Sequence, residues 1–439
     1  MTEKNFIPEI GLKGISQEGF ADAFAVLEEC LIENVPAMGC VYPFFAPGGS
    51  YGPCWWNIDS SVALVGYRRK NRTLAENAMK NFFALQKEDG RIPLWGYDRV
   101  KNHDEDVSSL PKILSVAALL ARESEDQKFI EGCYALIARY LGWWKEKRFD
   151  EKTGLYSAVF EETFPPHLGK SRERAAADTN SELIVCFARA AELARRLGKA
   201  SEAERFEQEK RELADAVNRY LWDEEKGAYY PYLLQTEKRE DFLVAAAFLP
   251  LRENAVPEER AKRLVSLLTG EKFGWKEFPV CSAAKDDKQF AVTEGEYQYN
   301  ASWSGSVWTL LNEAVVQGLK DSGFKEPAAE LAWLTVREFH ANYAEFLQPF
   351  NGSGHGVKRY AWTASQYIEL VLDVIFGISA DAGEKRVTVS PLLCGELQSG
   401  RLHAKNVRLP DGGTLSVEIE NGKVIKAEAA DTKYAVCVK

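Results

Sequence analysis

About a dozen stretches of this chain carry apolar residues at helical spacing, and several of the turns between them are built alike. The stretches run from Phe20 to Ile32, Ser60 to Tyr67, Thr73 to Leu85, Leu110 to Ala121, Phe129 to Trp144, Leu183 to Leu197, Ala203 to Leu221, Phe242 to Leu249, Arg260 to Leu268, Ser306 to Leu319, Ala328 to Tyr343 and Thr363 to Leu372. The recurring turns are Glu88-Asp89-Gly90-Arg91-Ile92, Asp150 to Tyr156 around Gly154, and Asp223 to Tyr229 around Gly227. Each offers a glycine for positive φ and then an apolar or aromatic residue that can be pinned beneath a helix. The three glycines lie 64 and 73 residues apart, a spacing that fits repeated helix pairs. Such pairs stack into a closed ring of hairpins or an open solenoid, and a ring gathers its connecting loops on one face.

Beyond about Ala382 the pattern changes to period two. Arg386-Val-Thr-Val-Ser, Gly400-Arg-Leu-His-Ala, Gly413-Thr-Leu-Ser-Val-Glu-Ile and Lys423-Val-Ile-Lys-Ala alternate apolar and polar residues, with hairpin turns at Asp411-Gly412-Gly413 and Asn421-Gly422. The expected organisation is an all-α ring over 1–382 and a small antiparallel β appendage over 383–439 that packs on it.

With 439 residues, 46% of them hydrophobic, the chain can fill one large core. A net charge of −10, with no basic patch, argues against a nucleic-acid backbone or an anionic membrane as partner. The amino terminus lacks a basic start followed by an apolar run, and no apolar stretch reaches the ~18 residues of a spanning helix. Eight scattered cysteines form no C-x-x-C pair and have no histidine at metal-ligand spacing. They read as reduced thiols of a cytoplasmic protein, with no metal and no cofactor expected.

The loops between helices are rich in aromatic residues beside acids: Tyr51 to Ser60, Trp303 to Trp308 and Glu345 to Gly356. A pyranose stacks its C–H face on such rings and offers hydroxyls to carboxylates and amides. Asp59 is the expected ligand for hydroxyls at the closed end of a sugar pocket, with Trp56, Trp303 and Trp362 as walls. Trp95, Tyr97, Asp98 and His103, on another long loop, would extend the rim. Phosphate loops, dinucleotide fingerprints, nucleophile elbows and His-Glu-x-x-His are all missing from the sequence.

Three of these loops resemble glycoside hydrolase family sixty-three, the processing α-glucosidases with their bacterial relatives and the related trehalases. Tyr51-Gly-Pro-Cys-Trp-Trp-Asn-Ile-Asp59-Ser60 is similar to the family's Trp-x-x-Asp-Ser strip, and Trp303-Ser-Gly305-Ser-Val-Trp308 to its Trp-Arg-Gly-Pro-Val-Trp. Glu345-Phe-Leu-Gln348-Pro-Phe-Asn-Gly352, followed by Tyr360-Ala-Trp362-Thr-Ala, is similar to its Glu-x-Tyr-Asn-Pro-x-Thr-Gly and Phe-Ser-Trp-Ser-Ala. The resemblance implies an (α/α)6 barrel that removes a terminal, α-linked glucosyl-type residue with inversion, using a carboxylic acid and a carboxylate roughly 6.5–9.5 Å apart. It adds Tyr51, Trp55, Gly305, Trp308, Asp178 and Gln348 to the expected binding residues.

Glu345 matches the family's general base. The family's donor is an aspartate in Glu-Ser-Gly-x-Asp-Asn-Ser-Pro-Arg, which this chain lacks; it has Ala158-Val-Phe-Glu161-Glu162-Thr-Phe-Pro-Pro166 instead. An acid among Phe160, Phe164 and two prolines has the apolar setting that raises a donor's pKa. One of two neighbours on an extended segment faces a cleft: Glu162 is the expected donor, Glu161 the second choice. Asp178 is a third, although with Asn180 it also reads as a helix N-cap. A sugar epimerase or an unsaturated-uronide hydrolase on the same ring is the alternative activity, and a non-catalytic scaffold would have no use for these loops.

Overall fold

The structure, a computed structural model, describes residues 6–98, 106–159, 161–164, 173–292 and 303–439. Eleven α-helices are described: α1 Gln17–Cys30, α2 Asn57–Tyr67, α3 Arg72–Leu85, α4 Lys112–Arg122, α5 Gln127–Arg148, α6 Ala177–Arg196, α7 Ala200–Tyr220, α8 Glu258–Leu268, α9 Thr309–Asp321, α10 Lys325–Phe339 and α11 Ala361–Glu369. A twelfth helical piece, Ala245–Asn254, is of 3-10 type.

An inner ring closes through neighbour contacts: α2 on α4, α4 on α6, α6 on Ala245–Asn254, that segment on α9, α9 on α11, and α11 back on α2. The remaining helices pack outside it, α1 on α11, α3 on α2 and α5, α7 on α6, α8 on Ala245–Asn254 and α10 on α9. Composition separates the layers. Every residue of α2 is buried, and its sequence Asn-Ile-Asp-Ser-Ser-Val-Ala-Leu-Val-Gly-Tyr has no charged outer face. The outer helix α7 buries only the stripe Ala203, Phe206, Leu213, Ala216 and Val217, and its other faces are charged. Side-chain caps start α1, α3 and α5, where Ser16, Asn71 and Asp126 accept the first-turn amides. Gly90, Gly154 and Gly227, the turn glycines, have φ of 94°, 75° and 68°.

Three expectations need correction. The helix expected over Phe242 to Leu249 is the 3-10 segment, with Pro250, which lacks an amide donor, inside it. The all-α description is too simple, because short two- and three-residue strands clip the loops of the ring together, among them Cys54–Trp56 against Trp95–Tyr97 and Phe346–Leu347 against Gly354–His355. The β region is neither confined to 383–439 nor wholly antiparallel. Glu9–Gly11 pairs with Arg401–Arg408 at the edge of a four-stranded antiparallel sheet, and Ile378–Asp381 begins a second sheet in which Ala435–Val438 runs parallel to Arg386–Val389. Both ends of the described chain thus join the β layer. Among the described residues no helix is long and apolar enough to cross a membrane.

Candidate active site

The starts of the inner helices and the loops leading into them enclose a cavity of about 130 Å³, lined by residues that include Tyr51, Trp56, Asp59, Glu161, Trp303, Glu345, Tyr360 and Trp362. This is small beside the roughly 300–1,000 Å³ of pockets for drug-sized ligands, and suits one ring-sized group.

Strand pairing sorts the two adjacent tryptophans. In Cys54–Trp56, paired with Trp95–Tyr97, successive side chains leave opposite faces. Trp56 enters the cavity, its indole N–H donating to the Tyr97 hydroxyl at 3.1 Å. Trp55 turns the other way and packs edge-on against Phe82, 5.8 Å between ring centres, so it belongs to the core. Asp59 follows in the first turn of α2, where the helix N-terminus favours an anion. The Tyr360 hydroxyl donates to it at 2.7 Å. Burial nevertheless pushes the Asp59 carboxyl up to about 6, against that hydrogen bond.

Glu345 sits at the mouth of the Phe346–Leu347/Gly354–His355 hairpin. Its backbone N–H donates to the Val357 carbonyl at 2.8 Å, and its carboxylate accepts the Val357 N–H at 3.1 Å. Gly356, at φ 75°, makes room for it: a Cβ there would lie 2.6 Å from the Glu345 Oε2. Burial, with the nearby Asp59 charge, raises Glu345 to about 7. The hairpin is fixed to the next loop by mutual backbone bonds of 3.0 Å between Val307 and Leu347. That loop holds Trp303 against the wall, edge-on to Trp308 at 4.8 Å and Trp362 at 6.1 Å.

Of the two neighbouring glutamates the structure brings the second choice, Glu161, to the cavity wall, and not Glu162. Glu162 is completely buried and engages Arg148 with both oxygens at 2.8 Å, while accepting the Ser108 amide at 2.9 Å and the Val159 amide at 3.2 Å. Its carboxylate already accepts four donors, and it has no place in the cavity wall. Its pairing holds the loop so that Glu161 projects into the cavity, at a φ of 70° that a non-glycine residue adopts only when its surroundings impose it. The Leu110 amide donates to the Glu161 carbonyl at 2.9 Å and the Thr179 hydroxyl to the Glu162 carbonyl at 2.7 Å, which fixes that backbone. Burial first, and the Asp59 charge second, raise Glu161 to about 7.

Asp178 is neither in the cavity wall nor a cap: Ala176 holds the N-cap position of α6. Its buried carboxylate accepts the Thr163 hydroxyl, the Phe164 amide and the Thr179 amide, and so ties down the two wall residues that follow Glu162. Trp308, Gly305 and Gln348 are likewise outside the wall. Trp308 is a fully buried ring behind Trp303, Gly305 adopts φ 115° beneath Phe290, and the Gln348 backbone closes the hairpin by a 2.9 Å bond to Ser353. Tyr360 and Thr163 complete the wall without having been expected there, although Tyr360 lies two residues from Trp362 in one motif. Of the expected rim, Tyr97 lines the cavity, whereas His103 lies outside the described residues. The same is true of Phe160, Pro165 and Pro166, on which the donor's apolar setting was argued.

Comparison with known proteins places the chain among glycoside hydrolases. A mannosylglycerate hydrolase from Rubrobacter radiotolerans is 31% identical over 187 residues, which is 42% of this chain and 40% of the relative, so the match spans well under half of that protein's length. The crystal structure of the GH63 mannosylglycerate hydrolase from Thermus thermophilus in complex with glucose superposes with a TM-score of 0.67 at 20% identity, over 79% of this chain and 98% of that one. The GH78 rhamnosidase of a Bacillus species shares the fold over 98% of this chain and 42% of its own, with a TM-score of 0.69 at 15% identity, β layer included. The sequence profile of the mannosylglycerate hydrolase MGH1-like glycoside hydrolase domain matches residues 52–163 and 158–363. A ring of helices whose loop ends bring three acids and an aromatic wall together, and a profile that spans most of that ring, lead to one conclusion: the chain belongs to the MGH1-like glycoside hydrolase family within GH63.

Proposed function

We propose that the protein is an inverting glycoside hydrolase that removes one terminal, α-linked neutral sugar, with Glu161 as general acid and Glu345 as general base. The observation that carries this reading is that two acids from different loops of the ring, Glu161 and Glu345, share one aromatic-walled cavity with Asp59. Three carboxyls cannot all ionise at neutral pH in so small a space, and hydrogen bonding decides which of them keeps its proton. Asp59 receives the Tyr360 hydroxyl and is the first anion; Glu345 receives one amide; nothing among the described residues donates to the Glu161 carboxyl. Glu161 is therefore the proton donor to the glycosidic oxygen. Glu345 takes the proton of a water molecule that attacks the anomeric carbon from the opposite side.

Asp59 binds vicinal hydroxyls, and Trp56, Trp303, Trp362 and Tyr51 stack on the sugar. The relatives' printed substrate, mannosylglycerate, carries a carboxylate. The described wall holds no Arg or Lys to meet one, which supports a neutral sugar in the enclosed subsite and works against the uronide alternative. No cofactor is needed for this chemistry, and the proposed partner is a small glycoside. All eight cysteines are unpaired, seven of them buried, in keeping with a reducing, cytoplasmic setting.

The test is hydrolysis of α- and β-linked disaccharides, mannosylglycerate and aryl glycosides, with the anomer of the first product followed by NMR. Release of the inverted anomer, lost in both Glu161→Gln and Glu345→Gln, is expected. Retention of configuration, or full activity in Glu345→Gln, would sink the mechanism.

A further inference from the structure

A second cavity, of about 350 Å³, is lined by the far halves of the same inner helices, through residues such as Val65, Leu119, Arg189, Gln317 and Glu369. The active-site cavity takes Ile58 and Asp59 at the start of α2 and Trp362 at the start of α11, whereas the second takes Val65 and Glu369 toward the ends of the same two helices, so the two lie toward opposite ends of the ring. At this far end the C-terminal carbonyls of the inner helices converge and set a negative potential.

Most charges in this second wall cancel within the protein. Arg68 pairs with Glu123 and Asp373, Lys112 with Glu313 at 3.0 Å, Arg189 with Glu192 and Glu253, and Arg252 with Glu182. Arg122 and Lys320 have no carboxylate partner among the described residues, but both occupy the last turn of an inner helix, where a cation offsets the helix-end carbonyls. Glu369 has no such explanation. It faces Glu313 and Asp373, its carboxyl makes no ion pair or hydrogen bond among the described residues, and burial followed by those two charges drives its pKa well up, against the smaller pull of Lys112 and Arg68.

Beside it Gln366, fully buried and also in the wall, gives its amide N–H to Glu313 at 3.4 Å while its carbonyl oxygen has no partner among the described residues. The helix itself changes at this point, from α-form through Glu369 to a π-form turn over Leu370–Ile375, a distortion that recurs at functional sites. Two unused acceptors thus share one cavity in a region of negative potential. Among the described residues no group of three or more His, Cys, Asp or Glu is arranged to hold a metal ion.

We infer that this far cavity is a binding site for a small molecule carrying a primary ammonium group, held by Glu369 and the Gln366 carbonyl. A primary ammonium supplies several N–H donors to the two acceptors and neutralises the acid that lacks a cation. The inference does not depend on the glycosidase reading.

Thermal melts and calorimetry of the full chain with n-butylammonium chloride test it, with sodium chloride and tetramethylammonium chloride as ionic controls. The active-site acids could also attract an amine, so the variants separate the two ends of the ring. Saturable stabilisation by butylammonium but not by tetramethylammonium is expected in the wild type. Glu345→Gln retains it, and Glu369→Gln loses it while keeping hydrolytic activity. The site is refuted if butylammonium does not stabilise the protein, if the effect persists in Glu369→Gln, or if it disappears in Glu345→Gln.

Discussion

Both ends of the inner ring are crowded with buried acids, yet the two sets live in opposite company. At the loop end Asp59, Glu161 and Glu345 share an aromatic cavity whose described wall holds no cation, and all three carboxyls are held above the usual carboxylate range. At the far end Glu123 and Glu182 lie against arginines, Arg68 and Arg72 for the first and Arg252 for the second, and the arginines hold both carboxyls low. A carboxylate paired with a guanidinium is structural, because its proton is gone and its lone pairs are spent. A carboxyl buried without a cation keeps a proton to exchange at neutral pH. Glu161 and Glu162 differ in company in the same way, one lining the cavity and the other paired with Arg148.

The largest expected effect breaks the comparison at the loop end. Glu161→Gln and Glu345→Gln should each lower kcat on an unactivated glycoside by about 10²- to 10⁴-fold, with melting temperatures at or above the wild type. A dinitrophenyl leaving group needs no proton, so Glu161→Gln should recover much of its rate on that substrate and Glu345→Gln should not. Equal losses on both substrates would remove Glu161 as the donor.

Next in size is the cost of exposing a structural acid. Arg148→Met leaves Glu162 buried without its partner and should destabilise the fold by about 3–5 kcal/mol, as is usual for a broken buried pair. Denaturant unfolding measures it. A change below about 1 kcal/mol would mean that the pair does not hold the Glu161 loop.

A smaller effect is expected from Tyr360→Phe, which takes a hydrogen-bond donor from Asp59 and so raises the pKa of that carboxyl. Because Asp59 then ionises later, the acidic limb of kcat/KM should move to higher pH, by less than about one unit. An unchanged limb would show that the acidic limb does not depend on the ionisation of Asp59.

The subtlest test is stability against pH, where the cavity acids and the arginine-paired acids carry opposite signs. Asp59, Glu161 and Glu345 have folded values of about 6, 7 and 7, above the ~4 of an unfolded chain, so they favour folding fully below ~4 and lose that contribution as the pH rises to about 7. Glu123 and Glu182 are lowered, so their contribution is present above ~4 and fades in acid. Melts of Asp59→Asn should flatten the slope between about pH 4 and 7 and leave the acid limb alone.

The helical periodicity and the repeated glycine turns made the ring legible, because an amphipathic pattern and a positive-φ glycine are local properties. The layering became visible only in the folded ring, where α2 is buried on every face and α7 along a single stripe. What periodicity could not show was the β layer's use of Glu9–Gly11, a pairing across nearly the whole chain that leaves only a three-residue trace. Among the site residues, Asp59, Trp56, Trp303, Trp362 and Glu345 stood out as polar or aromatic groups in turn-rich loops. Trp55, Trp308, Gly305 and Gln348 sat in the same motifs, and nothing local marked them as the frame behind the wall.

The sequence by itself determined that helices would alternate in pairs, where their loops fall, and that acids and aromatic rings would meet on one face. Each of those follows from spacing and residue type along the chain. Only the tertiary structure decided which acid lines the cavity and which is tied into an ion pair, since that depends on what lies across the ring. Arg148, at the end of α5, reaches Glu162 and leaves Glu161 to the cavity, and Tyr360, at the start of α11, reaches Asp59 across about 300 residues of sequence. A carboxyl's proton affinity is set by its burial and its partners, and neither exists until the ring has closed.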